Sequence, residues 1–213
     1  MDDVKKSWLA LNMVPHLSAR HHQQLISAFG SPYNAIVSAE SDISGCGIGV
    51  EIAKRIRRAM DGRALKLELE MMEDAGVSAL ALYEEGYPRI LRFIYDPPIV
   101  LYVKGALPAG ACLSMAVVGC RKPSPYGRVV TENLVKSLVE RGFYVTSGLA
   151  RGIDTAAHRT CLEKGGRTTA VLGSGLASVY PPENRGLAAR IAENGAVISE
   201  YSMKVPPDRF NFP

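Results

Sequence analysis

The chain has 213 residues, 47% of them hydrophobic and 22% charged, with a formal net charge of +4. That length holds one mid-sized α/β domain plus a small module, and that balance excludes an intrinsically disordered chain. Its apolar runs fall short of the about 20 residues that a membrane span needs, and its acidic start lacks the apolar core of a secretory signal.

Residues 1–75 read as helical, with helices expected over about 5–14, 18–30, 32–39, 50–60 and 63–75. Gly45-Cys46-Gly47-Ile48-Gly49 permits a tight turn, after which Ile48, Ile52 and Ile56 recur at four-residue steps as an apolar stripe. Lys54, Arg55, Arg57 and Arg58 fall largely off that stripe. The element resembles a helix-hairpin-helix, which contacts DNA phosphates in many proteins; it also fits a hairpin that merely packs. From about residue 76 the pattern changes. Short β-rich runs at 77–82, 99–103, 115–119, 143–147, 168–172 and 196–199 are joined, among the last four, by helical stretches at 127–141, 153–164 and 184–194. Strands alternating with such helices predict a parallel sheet, and continuously apolar runs such as Met115–Val118 and Thr169–Leu172 suit strands buried on both faces. The expected class is therefore α/β: an extended Rossmann-like parallel sheet over 76–213, flanked by helices and preceded by a small all-α module over 1–75.

Charge follows the same division. Residues 1–75 carry 9 Lys and Arg against 10 Asp and Glu, whereas 76–213 carry 16 against 11. The basic second part permits an anionic partner without requiring one. The four cysteines are scattered, with neither a C-x-x-C pair nor a nearby histidine cluster, which reads as reduced thiols and no zinc site.

In a parallel α/β sheet ligands bind beyond the carboxyl ends of the strands, where loops enter helices. Three such loops here are rich in glycine. The first, Gly119-Cys120-Arg121-Lys122, brings a close-approach glycine and a guanidinium suited to phosphate, and Ser124-Pro125 behind it reads as a helix cap. The second, Ser147-Gly148-Leu149-Ala150-Arg151-Gly152, resembles an anion nest at a helix entrance. Arg151 either binds phosphate there or pairs with Asp154, and His158 one turn later reads as structural. The third, Gly173-Ser174-Gly175, leads to Tyr180 and Asn184, where Tyr180 offers a stacking face or packs the loop. Glu200 after the last strand suits orientation of a basic residue or a nucleobase. No G-x-G-x-x-G opens the first βα unit, no P-loop occurs, and no nucleophile–base pair or H-E-x-x-H stands out.

These loops, with Gly86-Tyr87-Pro88-Arg89-Ile90-Leu91, Asp96–Gly105, SGLARGID before Ala156-Ala157-His158, AVLGSGLASVYPPEN (170–184) and Ile198-Ser199-Glu200-Tyr201, resemble the DNA-processing protein A family (DprA, or Smf). The resemblance is strong over about 86–213. Over 1–75 it is weak and implies a sterile-alpha-motif or helix-hairpin-helix type module. It implies a cytoplasmic, non-enzymatic homodimer that binds single-stranded DNA without metal or cofactor. Such a protein helps RecA replace single-strand-binding protein during natural transformation. Carried over position by position, the DNA-contacting set comprises Gly119, Arg121, Lys122, Ser147, Gly148, Arg151, Gly173, Ser174, Gly175, Tyr180 and Asn184. Cys120 replaces the family's usual hydroxyl residue, so a side-chain bond to phosphate is not carried over there. The family continues past Pro213 into an arginine- and asparagine-rich stretch and often a winged helix, which implies an incomplete C-terminus here. The alternative class is a nucleotide-binding enzyme of the lysine-decarboxylase-like phosphoribohydrolase group, whose P-G-G-x-G-T loop does not occur in this sequence.

Overall fold

The helical pattern of the first 75 residues becomes α1 (Asp3–Asn12), α2 (Ala19–Phe29), α3 (Pro32–Val37), α4 (Glu40–Gly45), α5 (Val50–Ala59) and α6 (Arg63–Ala75). The structure, a computed structural model, describes all residues except Met1, His16, Ser18, Met60, Asp61, 109–111, Phe212 and Pro213. The expected helix ends at Ser18 and Met60 thus lie outside the described residues. Capping sets the starts: the Asp2 carboxylate accepts from the Lys5 amide, and Ser31 accepts from the Asn34 amide with Pro32 in the first turn of α3. Helix α4 has no counterpart in the sequence reading: it is as short as α3 but lacks the Ser-Pro start of that helix, having no side-chain cap at Ala39. Gly47, at φ +81°, makes the turn before α5, and Ile48 and Ile56 are buried while Ile52 is partly so.

All six strands form: β1 (Val77–Ala81), β2 (Val100–Gly105), β3 (Ser114–Ala116), β4 (Tyr144–Ser147), β5 (Thr168–Val171) and β6 (Ala196–Ser199), in the order β1-β2-β6-β5-β4-β3. Strands β3 to β6 are parallel, whereas β2 runs antiparallel to β6, Tyr102 facing Ser199 and Gly105 facing Ala196. The sheet is therefore mixed rather than wholly parallel. Crossover helices impose parallel pairing only on the strands they join, and β2 enters with no such connection.

Helices α7 (Pro125–Glu140), α8 (Ile153–Glu163) and α9 (Arg185–Asn194) are the three crossovers. Each step moves to the next strand in the same direction, so right-handed connections put all three on one face with their N-termini at the carboxyl rim. Val117, Val135, Leu138, Val145, Ile153, Ala157 and Cys161 form the core between α7, α8 and the sheet. Burial pushes the Cys161 thiol up to about 11, an inert packing residue.

The chain divides into two compact units: residues 1–74, 78–101 and 200–202 form one, and 75–77, 102–199 and 203–213 form the other. The three rim loops all belong to the second.

Candidate nucleic-acid interface

The first two rim loops are pressed together at their glycines. A side chain at Gly119 would strike Ile153 at 2.6–2.8 Å, and one at Gly152 (φ +82°) would collide with the carbonyl oxygen of Cys120. The Ile153 amide donates to that same carbonyl at 3.2 Å. Behind this contact sits the buried Asp154. Its Oδ2 accepts from the amides of Gly148 (3.0 Å) and Ala150 (3.4 Å), and its Oδ1 from Gly119 (3.4 Å). The anion nest expected from the glycines is a real geometry, and the anion in it is the protein's own carboxylate. Asp154 is therefore not the partner of Arg151, which bonds Glu183 instead. The position of Asp154 in the first turn of α8, directly after the glycine loop, is the signal for its role in the nest.

The polar groups around that carboxylate are likewise consumed. The buried Ser147 hydroxyl donates to Val117 O at 2.6 Å. Asn184 donates through Nδ2 to Leu149 O and to Thr155 Oγ1, both at 2.8 Å. Leu149 itself sits at φ +59° with its side chain fully buried, a costly conformation of the kind that clusters at functional sites. His158 packs under the same loop, its Nδ1 2.8 Å from Thr168 Oγ1, and burial pulls its pKa down to about 4. It is neutral and structural. The third loop is closed by the segment that follows β6. Gly175 and Ala177 amides donate to the carbonyls of Val205 (2.9 Å) and Met203 (3.0 Å), and Ser174 Oγ donates to Ser178 O (2.9 Å). Gly173, Ser174 and Gly175 are buried.

Of the predicted residues, Gly119, Arg121, Lys122 and Arg151 are exposed, and Gly148 and Tyr180 partly so. Arg121, Gly148, Arg151 and Tyr180, with Ala150 and Pro181, line one shallow depression at the rim, and Lys122 is exposed next to Arg121. The Arg151 guanidinium lies 5.6 Å from the centre of the Tyr180 ring, donates through Nη1 to the Tyr180 hydroxyl (3.4 Å), and forks onto Glu183 through Nε and Nη2. Glu183 raises the Arg151 pKa, and Arg151 lowers that of Glu183. Both side chains are about half exposed, at 48% and 51%, so solvent screens the pair and it yields readily to a competing anion. Glu183 was absent from the predicted set. Its place, three residues after Tyr180 in a proline-rich turn, carried no charge-pair signature.

The helical module presents a different picture. Arg57 donates to Ile36 O at 3.0 Å and Lys54 pairs with Glu51 at 3.1 Å, while Arg55 and Arg58 are exposed. Glu200 belongs to the first unit, where burial, then Asp96, raise its carboxyl pKa. Among the described residues no group of His, Cys, Asp and Glu is arranged to hold a metal ion, and no helix is long and apolar enough to cross a membrane.

Residues 78–213 match the family model described as DNA recombination-mediator protein A. The chain is 46% identical over 131 residues to Protein Smf of Synechocystis sp., covering 60% of this chain and 33% of that protein. It is 36% identical over 173 residues to DNA processing protein DprA of Streptococcus pneumoniae, covering 81% and 59% respectively. The chain thus spans between about a third and three fifths of these curated relatives. The X-ray structure of the Streptococcus pneumoniae DprA superposes with a TM-score of 0.79 at 29% identity, over 100% of this chain and 73% of that one. A second structure, of Helicobacter pylori DNA processing protein A, concerns a unique single-stranded DNA binding mode; it matches with a TM-score of 0.55 at 31% identity, over 64% and 60%.

Proposed function

The chain belongs to the DNA recombination-mediator protein A family, and from that membership we propose that it binds single-stranded DNA along the carboxyl rim of its parallel strands, breaking no bond. The observation that carries this reading is the convergence of Arg121, Arg151 and Tyr180 on one exposed depression. Arg121 supplies a planar fork of donors to a phosphate, with Lys122 as a second cation beside it. Arg151 exchanges the weakly held Glu183 for a second phosphate. Tyr180 stacks a base, a contact worth about 1–3 kcal/mol in single-strand binders. Asp154 and Asn184 hold the loops in place and touch no DNA. The glycine-loop amides of Gly119 and Gly148 serve the same scaffold, so affinity comes from side chains.

The larger role follows from the family. The protein acts in the cytoplasm as a homodimer that loads RecA onto incoming single strands during natural transformation, in place of single-strand-binding protein. It is a binding protein with no catalytic step.

A fluorescein-labelled oligothymidylate, titrated at about 50 and 200 mM salt, tests the rim. Binding that weakens steeply with salt, and an Arg121→Ala protein whose log–log salt slope is shallower by about one, are expected. Affinity unaltered by Arg121→Ala, or insensitive to salt, contradicts the assignment.

A further inference from the structure

A cleft of about 480 Å³ runs along the groove where α7 meets α8, distinct from the depression lined by Arg121. Four cations line it, Arg128, Lys136, Arg159 and Lys164, against two carboxylates, Glu132 and Glu163. On α7, Arg128, Glu132 and Lys136 step by four residues and so share one face; on the other wall Arg159 and Glu163 do the same, and Lys164 follows at the C-cap of α8. Among the described residues, Arg128, Arg159 and Lys164 take part in no ion pair, and Lys136 makes only a loose 3.9 Å contact with Glu140, outside the cleft lining. The two carboxylates therefore lower the charge of the cleft without locking its cations.

The cleft is joined to the rim. Gly152 is part of its lining and is also the residue pressed against Cys120 and Arg121, so the mouth opens beside the Arg121 loop. Both helices leave the rim N-terminus first, which adds the positive ends of two helix dipoles at that mouth. Arg128 lies near the rim end, while Lys136 and Lys164 lie at the far end. From Gly152 to Lys164 the wall runs about 18 Å at the helical rise of about 1.5 Å per residue. The two helices pack against one another through Val135, Leu138, Ala157 and Cys161, so the cleft is an open groove on their solvent side, along which a strand lies rather than passing between the helices.

We propose that this cleft is a second DNA-binding segment, in which the phosphates of a single strand seated at Arg121 continue along the groove over α7 and α8. Arg128 and Arg159 take the phosphates nearest the rim, and Lys136 and Lys164 those farther along. The proposal rests on the rim reading, and it makes affinity depend on strand length: a short oligonucleotide is held at the rim alone, a long one by rim and cleft together.

The test compares oligothymidylates of about 6 and 20 nucleotides, within and beyond the site sizes of single-strand binders. Fluorescence anisotropy is read for wild type, Arg121→Ala, and the combined Arg128→Ala, Lys136→Ala, Arg159→Ala, Lys164→Ala protein. All four cations are exposed, Arg128, Lys136 and Arg159 on helices and Lys164 at the C-cap of α8, where alanine preserves the fold, and circular dichroism verifies it. The combined variant should bind the short strand within about twofold of wild type. It should bind the long strand about tenfold more weakly, with a salt slope shallower by about two to three. A Glu132→Gln, Glu163→Gln protein should bind the long strand more tightly and the short one unchanged. Unaltered long-strand binding by the combined variant overturns the cleft while leaving the rim standing, and so does an equal loss on both lengths. Loss of both lengths in Arg121→Ala supports the rim on which the cleft depends. A wild type that binds neither length overturns both.

Discussion

The loop after β3 and the loop after β4 are built from similar residues, yet they use their polar groups in opposite ways. Ser147, Gly148, Ala150 and Asp154 turn inward and satisfy one another, with Asn184 tying the arrangement to α8. Arg121 and Lys122 turn outward. Glycine-rich composition at a strand's carboxyl end is thus compatible with two different physical purposes: close packing of two loops, and exposure of the cations those loops carry. Separating the two requires knowing where each amide's hydrogen bond goes, and here three of them go to one carboxylate.

The contrast is broken most forcefully at Asp154. Asp154→Ala removes a buried carboxylate and takes the acceptor from three part-buried amides, and should cost about 3 kcal/mol of unfolding free energy, measured by urea denaturation; a change within experimental error would mean that the inward loop needs no carboxylate. Asn184→Ala follows, at about 2 kcal/mol, because Leu149 O and Thr155 Oγ1 lose a donor in a loop already held at positive φ. The inward region is also sensitive to acid. His158 is held neutral with a pKa near 4 against an ordinary 6.5, so the unfolded chain takes up a proton that the folded chain refuses. Stability is full above about pH 6.5 and is lost as the pH falls toward 4, with of order 2 kcal/mol gone at pH 5. The buried His22 in the helical module acts in the same direction. A urea midpoint that stays level between pH 7 and pH 5 would contradict this. The smallest effect on stability belongs to the outward region. Arg121→Ala should leave unfolding free energy within about 0.5 kcal/mol of wild type while weakening DNA binding about tenfold.

Much of the fold was legible because it depends on local pattern. The apolar run at Thr169–Ala170 became a buried strand, the three crossover helices fell between the strands, and the isoleucine stripe at Ile48 and Ile56 became buried surface. The run at Met115–Val118 did not become a strand buried on both faces: β3 lies at the end of the strand order and is exposed, Met115 at 42% and Val118 at 72%. The antiparallel entry of β2 was not legible, since strand direction depends on connections rather than on the residues of Val100–Gly105. At the rim, the exposure of Arg121 and Lys122 could be read from the chain. Three things could not: that Asp154 fills the nest, that Val205 and Met203 close the third loop, and that Glu183 holds Arg151. Each is a contact between segments separated in sequence or a choice among several equally placed acceptors, and no periodicity records it. The cleft between α7 and α8 escaped notice for a related reason. Cations spaced four apart on one helix look like an ordinary solvated face until a second helix supplies the opposite wall.

The central claim, that exposed side chains at this rim receive a single strand, is tested most directly by ultraviolet cross-linking of an oligonucleotide containing 5-iodouracil, with the adducts mapped by peptide mass spectrometry. Adducts on Tyr180 and on the peptide carrying Arg121 to Tyr126, suppressed by Arg121→Ala, are the predicted result. Adducts confined to the helical module over residues 1–75, and indifferent to Arg121, would contradict it.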